Sequence, residues 1–134
     1  MGYYMEQIGQ DFTILADNKS KAFEALKRWE QEMISGYSYP LNILPLGDAS
    51  TLEEALNELN WEAETDDHGN IVGLWFKGGK LYEEDAWLDK ISAMVQSGSK
   101  IKMQGEDGYI WCWYFDGKGC VTYDGEIVFP GMPK

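Results

Sequence analysis

Short turns built from acids, asparagine and glycine set the grain of this chain. They stand at Asp66-Asp67-His68-Gly69-Asn70, Glu106-Asp107-Gly108, Asp116-Gly117-Lys118-Gly119 and Asp124-Gly125. Glycine takes left-handed backbone without steric cost, and Asp and Asn close local hydrogen bonds, so each string is a place where the chain reverses. Between them lie runs too short for helices and rich in aromatic and β-branched residues, at 61–65, 71–76, 109–115, 120–123 and 126–129. Strands joined by such short turns pair antiparallel. Asp124-Gly125 reads as a two-residue hairpin between 120–123 and 126–129.

The first half carries a different period. Residues 3–15 read as extended, with Gly9 marking a bulge or a break. Asp17 or Asn18 then offers an N-cap, and Ala22, Leu26, Trp29 and Met33 recur at three- and four-residue steps, the stripe of an amphipathic helix. Its outer face is assigned Lys21, Glu24, Lys27, Arg28 and Glu30. Gly36, Pro40, Pro45 and Gly47 make 35–48 a loop, whose Tyr37, Tyr39, Leu41, Ile43, Leu44 and Leu46 suit it to pack down on the domain. Ser50-Thr51-Leu52-Glu53 matches a capping box and opens a second helix with Leu52, Ala55, Leu56 and Leu59 buried. Glu83, Glu84 and Asp85 fit the first turn of a third, where the helix dipole favours acids. Trp87, Leu88, Ile91, Met94 and Val95 form its inner face, and Gly98 follows as a stop.

These readings predict one α+β domain over residues 1–134: an antiparallel sheet of about six to seven strands with three helices packed on one face. A quasi-repeat is also visible. Gly69 and Gly108 are offset by 39 residues, as are Gly78 and Gly117, and Trp75-Phe76 and Tyr114-Phe115, which suggests two α-β-β units side by side in one sheet.

Charge narrows the partners. The chain has 23 acids against 11 bases, a formal net charge of −12, and Arg28 is its one arginine. A protein that tracks a phosphate backbone neutralises it with Lys and Arg, so direct nucleic-acid binding is not expected. The same field favours approach to a basic surface, and it also serves solubility alone. No apolar run approaches the roughly 18 residues of a membrane span, and no signal-peptide pattern opens the chain, so a cytoplasmic protein with reduced thiols is expected. Cys112 and Cys120 lack Cys-x-x-Cys spacing, and a bridge between them is open only if their strands pair.

Catalytic patterns are not met. Asp66-Asp67-His68-Gly69-Asn70 breaks the oxygen alternation of a calcium loop at His68 and has Lys77 where the closing Glu belongs. His68 is the one histidine, which leaves no multi-histidine metal site and places any nucleophile–histidine pair in an exposed turn. Neither dinucleotide nor phosphate-loop glycine spacing occurs. No catalytic residue, metal or cofactor is assigned, and an enzyme is not expected.

Two surfaces remain. One is an acidic face of Glu54, Glu58, Glu62, Glu64, Asp66 and Asp67, within the base-free stretch 48–67, with Arg28 and Lys77 the nearest bases along the chain. The other is aromatic: Trp75 together with Trp111, Trp113 and Tyr114. On residues 109–115, alternation sets Tyr109, Trp111, Trp113 and Phe115 against Ile110, Cys112 and Tyr114, so both faces are apolar. One meets the helices. The other is left to the 37–46 loop, a second subunit such as a homodimer mate, another partner, or a small ligand.

Met1-Gly2-Tyr3-Tyr4, Asp11-Phe12-Thr13-Ile14 before a helix, and Gly105-Glu106-Asp107-Gly108 followed by Trp111 and Trp113 resemble the ordering in small acidic proteins of tailed bacteriophages and prophages. The resemblance covers both ends of the chain, leaves the Pro40–Pro45 region unmatched and carries no functional residues. It implies a host-cell cytoplasmic setting and a non-enzymatic protein that binds and blocks a host or defence protein through its acidic surface. The alternative expectation is a nucleotide- or sugar-binding protein that stacks its ligand on Trp75, Trp111 and Trp113.

Overall fold

The computed structural model describes residues 5–36, 45–78 and 83–125. The fold is α+β, with three helices and six antiparallel strands among the described residues. In order these are β1 (Met5–Asp11), α1 (Lys19–Gly36), α2 (Leu52–Glu58), β2 (Trp61–Thr65), β3 (Ile71–Phe76), α3 (Glu84–Ile91), β4 (Lys100–Gly105), β5 (Ile110–Phe115) and β6 (Cys120–Gly125). Short 3-10 turns at Ala16–Asn18 and Ser92–Met94 precede α1 and follow α3.

The helices form where the apolar spacing places them, and Ala22, Leu26 and Trp29 of α1 are buried. Helix α2 starts one residue later than the Ser50 capping box implies. Thr51 is the N-cap and accepts from the Glu54 amide at 3.2 Å, while the Glu54 carboxylate reaches back to the Ser50 amide at 2.9 Å. The two-way exchange is a capping box shifted by one position. Gly9 does sit at a bulge, where the β1–β4 register slips between Gln7 and Gly9.

The strands divide into two sheets rather than the single one expected. Strands β1-β4-β5-β6 form one sheet, and the β2–β3 hairpin forms another. The α-β-β order does occur twice, as α2-β2-β3 and α3-β4-β5, and Gly69 and Gly108 share left-handed φ of 82° and 86°. The two units nevertheless lie in different sheets. Their junction is made by side chains. Gln7 of β1 donates to the Leu74 carbonyl at 2.7 Å and accepts from the Phe76 amide at 2.7 Å, and Gln10 accepts from the Leu74 amide at 3.3 Å. One backbone bridge, Ile14 with Ile71, closes the end of this seam at 2.8 and 2.9 Å.

The core fills the space between the helices and the inner sheet faces. Burial on β5 alternates strictly, with Trp111, Trp113 and Phe115 inside. Trp61 of the hairpin packs against Trp87 of α3 and Trp113 of β5, both at 6.3 Å between ring centroids. Two acids, Glu30, expected on the outer face of α1, and Glu84, expected in the first turn of α3, belong to this interior. Glu30 is fully buried and accepts from the Leu46 amide at 2.9 Å, fixing the described end of the loop, whose residues 37–44 lie outside the described residues. Glu84 is 2% exposed and accepts from Trp61 Nε1 at 2.9 Å. A buried carboxylate costs several kcal/mol unless it is hydrogen-bonded, and both of these are.

Asp124-Gly125, expected as a turn, lies inside β6. Asp124 pairs with Trp111 and Gly125 with Ile110, so the ladder overrides the local turn chemistry. The expected strand at 126–129 lies outside the described residues.

Candidate functional site

The β2–β3 hairpin presents two unlike faces. Direct pairs are Trp61 with Phe76, Glu62 with Trp75, Ala63 with Leu74 and Glu64 with Gly73. Residues directly opposite in an antiparallel pair point the same way. Trp61, Ala63, Leu74 and Phe76 therefore turn toward the core. Glu62, Glu64 and Trp75 share the outer face, and both glutamates are exposed.

Trp75 is 44% exposed, a large share for so large an aromatic side chain. Its indole N–H donates to Glu64 Oε1 at 3.1 Å. The space above Gly73 holds this pair, since a Cβ added there would meet Glu64 Oε1 at 2.8 Å and Trp75 Nε1 at 3.2 Å. Gly73 thus leaves room for a carboxylate to hold an indole N–H over the strand, and Glu62 stands directly across from that Trp.

The other members of the expected acidic face have different fates. Glu54 is occupied as a capping group, and the hydrogen bond from the Ser50 amide is the main cause of its lowered pKa. Asp66 folds into its own turn, accepting from the His68 amide at 2.9 Å, the Asn70 amide at 2.9 Å and the Asn70 side chain at 3.0 Å, and the last of these chiefly lowers its pKa. His68 and Asp67 are exposed at the tip of that turn. Glu58 lies against Gly47, and with Asp48, Ala49, Glu54 and Asn57 it lines an open cleft of about 300 Å³. Two groups result, one in this cleft and one on the hairpin. Their sequence neighbour Glu53 is neutralised by Lys19 at 2.7 Å, and the same ammonium donates to the Gly69 carbonyl at 2.8 Å. In space Lys19 of α1 joins Lys77, whose ammonium donates to Asn57, as a cation held against the stretch. The distance of Lys19 from Glu53, 34 residues along the chain, hid it from sequence reasoning.

The expected aromatic surface is divided. Trp111 and Trp113 are 7% and 2% exposed and belong to the core, so neither can stack a ligand. Trp113 Nε1 donates to Asp85 Oδ1 at 2.7 Å, which locks it further. Tyr114 is half-buried on the opposite face of β5, and Trp75 belongs to the other sheet. Sequence alternation had separated the two faces of residues 109–115 correctly; it could not say which one meets the helices, because both are apolar.

The cysteines sit on opposite faces of the sheet. Cys112 pairs with Tyr123, and Cys120 with Phe115, so the strands do pair but the thiols diverge, and both are free. Burial raises the Cys112 thiol, and burial with help from Asp89 and Asp85 pushes Cys120 up to about 12. Neither is a ready nucleophile at neutral pH. Among the described residues no group of three or more His, Cys, Asp or Glu is arranged to hold a metal ion, and no helix is long and apolar enough to cross a membrane.

No family model matches the chain, and no curated protein or solved structure matches it either.

Proposed function

We propose that this is a binding protein that docks a basic segment of a partner protein on the outer face of the β2–β3 hairpin. The observation that carries the reading is the exposed Trp75, held by Glu64 and flanked by Glu62. An indole face attracts a Lys ammonium or Arg guanidinium by about 0.5–1 kcal/mol at an exposed site, and carboxylates at its rim add charge-assisted hydrogen bonds. The Glu64 bond fixes the ring before binding, which reduces the entropy lost when the contact forms. The field of a chain at −12 speeds the encounter with a cationic surface. The resemblance to small acidic phage proteins supports a host or defence protein as the partner, bound and blocked without chemistry.

Titration with oligo-lysine and oligo-arginine peptides, followed by tryptophan fluorescence, tests this. Binding is expected to shift the emission of Trp75, to favour arginine, and to weaken as salt rises. The double variant Glu62→Lys, Glu64→Lys and the single variant Trp75→Ala should each lower affinity by about tenfold or more, about 1.4 kcal/mol. Equal affinity of both variants and the parent would remove the hairpin face from the account.

A further inference from the structure

The four-stranded sheet has an outer face of quite different character. Pairing sets Lys100 and Lys102 of β4 beside Tyr114 and Cys112 of β5, and those beside Val121 and Tyr123 of β6. All of them point away from the buried Trp111 and Trp113. Val121 is 38% and Tyr123 55% exposed, and the Tyr123 ring meets Tyr114 edge-on at 6.2 Å. Across the sheet, Glu6 and Asp11 of β1 pair with Gln104 and Lys100 and so share this face. Among the described strand residues two acids and two lysines balance on this face, with Glu106 beside Glu6 and Gln104 at one end, in a chain whose total is −12.

This balance selects the occupant. Two copies at −12 repel each other wherever acidic surfaces approach, and the repulsion is least where the local charge cancels. Each copy brings both signs, acids on β1 and lysines on β4, together with the apolar Tyr114, Val121 and Tyr123, so the face is self-complementary in the sense that a twofold contact requires. We propose that this face joins two copies of the chain, the four-stranded sheets packing face to face. Four strands about 4.8 Å apart and six residues long give a footprint of roughly 400 Å² per copy, about half of the roughly 800 Å² per partner typical of stable complexes. The dimer is accordingly weak, forming at tens to hundreds of micromolar, on the order of −5 to −6 kcal/mol.

Sedimentation equilibrium over about 5 µM to about 1 mM, at low and high salt, tests the proposal. The average mass should rise from 15.3 kDa toward twice that value, and more steeply at high salt, which screens the repulsion between copies. That salt response is opposite in sign to the one expected for a basic partner on the hairpin, so the two readings fail separately. The double variant Val121→Glu, Tyr123→Glu, whose folding is checked by circular dichroism, should stay at the monomer mass throughout. Lys102→Glu should also weaken association, and Glu62→Lys, Glu64→Lys should preserve it. In the parent, maleimide labelling of Cys112 should slow as protein concentration rises. A parent that stays monomeric at high salt, or a Val121→Glu, Tyr123→Glu variant that associates as the parent does, would overturn the proposal. Loss of association in the hairpin double variant would overturn it as well, by showing a head-to-tail contact.

Discussion

The two sheets of this molecule are held by different kinds of bond. Within β1-β4-β5-β6, every neighbour is joined by a backbone ladder, which any sequence of suitable β-propensity can supply. The β2–β3 hairpin meets β1 through the amide side chains of Gln7 and Gln10, and beyond the end of β1 one backbone bridge among the described residues, Ile14–Ile71, joins them. A ladder is generic, but a seam of two glutamines depends on those two residues. The hairpin is also the part that displays the exposed indole and glutamates, so the candidate binding face rests on the more sequence-dependent attachment.

Removing Trp61 should damage this arrangement most. Its ring is fully buried between Phe76, Trp87 and Trp113, and its N–H meets Glu84. Trp61→Ala should cost about 3–5 kcal/mol, read from denaturant unfolding, because it opens a cavity and removes one donor from the buried Glu84 carboxylate. A loss near 1 kcal/mol would mean that the hairpin contributes little to the core. Gln7→Ala tests the seam itself. It orphans the Leu74 carbonyl and the Phe76 amide and should cost about 2 kcal/mol. In hydrogen exchange, the Phe76 amide should lose protection in this variant while amides shared by β4 and β5 keep theirs; equal loss in both sheets would show that they open as one unit.

The smallest effect expected is the response to acid. Glu54, Asp66 and Asp116 all have lowered pKa values, through hydrogen bonds led respectively by the Ser50 amide, the Asn70 side chain and the Lys118 amide. Depressed carboxylates contribute stability that is complete above their ordinary values of 4.5 and 3.8 and is lost as pH falls through the lowered ones. Unfolding midpoints should therefore be level near neutrality and decline below about pH 4.5. The Asp66→Asn variant should decline less steeply there, and an unchanged slope would show that Asp66 keeps its hydrogen-bond donors in the unfolded chain.

What sequence could reveal follows the same division between local and remote. The α1 and α2 stripes, the hairpin turn at Asp66–Asn70 and the bulge at Gly9 depend on neighbours within a few residues, and their patterns are legible. The capping box was displaced by one because Ser50 and Thr51 carry equivalent hydroxyls. Glu30 and Glu84 look like surface acids until the Leu46 amide and the Trp61 indole arrive from 16 and 23 residues away. The split into two sheets was hidden because nothing in the pattern around Gln7 announces that its side chain will stand in for a backbone. On the outer hairpin face, Glu62 and Glu64 were visible as an alternating pair, but their union with Trp75 needed the register.

One turn of α3 ties these observations together. Glu84 accepts a hydrogen bond from the indole N–H of Trp61 in the hairpin, and the next residue, Asp85, accepts one from that of Trp113 in the larger sheet. Successive helical residues point about 100° apart. The helix end therefore acts as a gauge block: the angle between two adjacent carboxylates sets how far apart the two sheets may stand, and one residue inserted between them would leave an indole with nothing to hold.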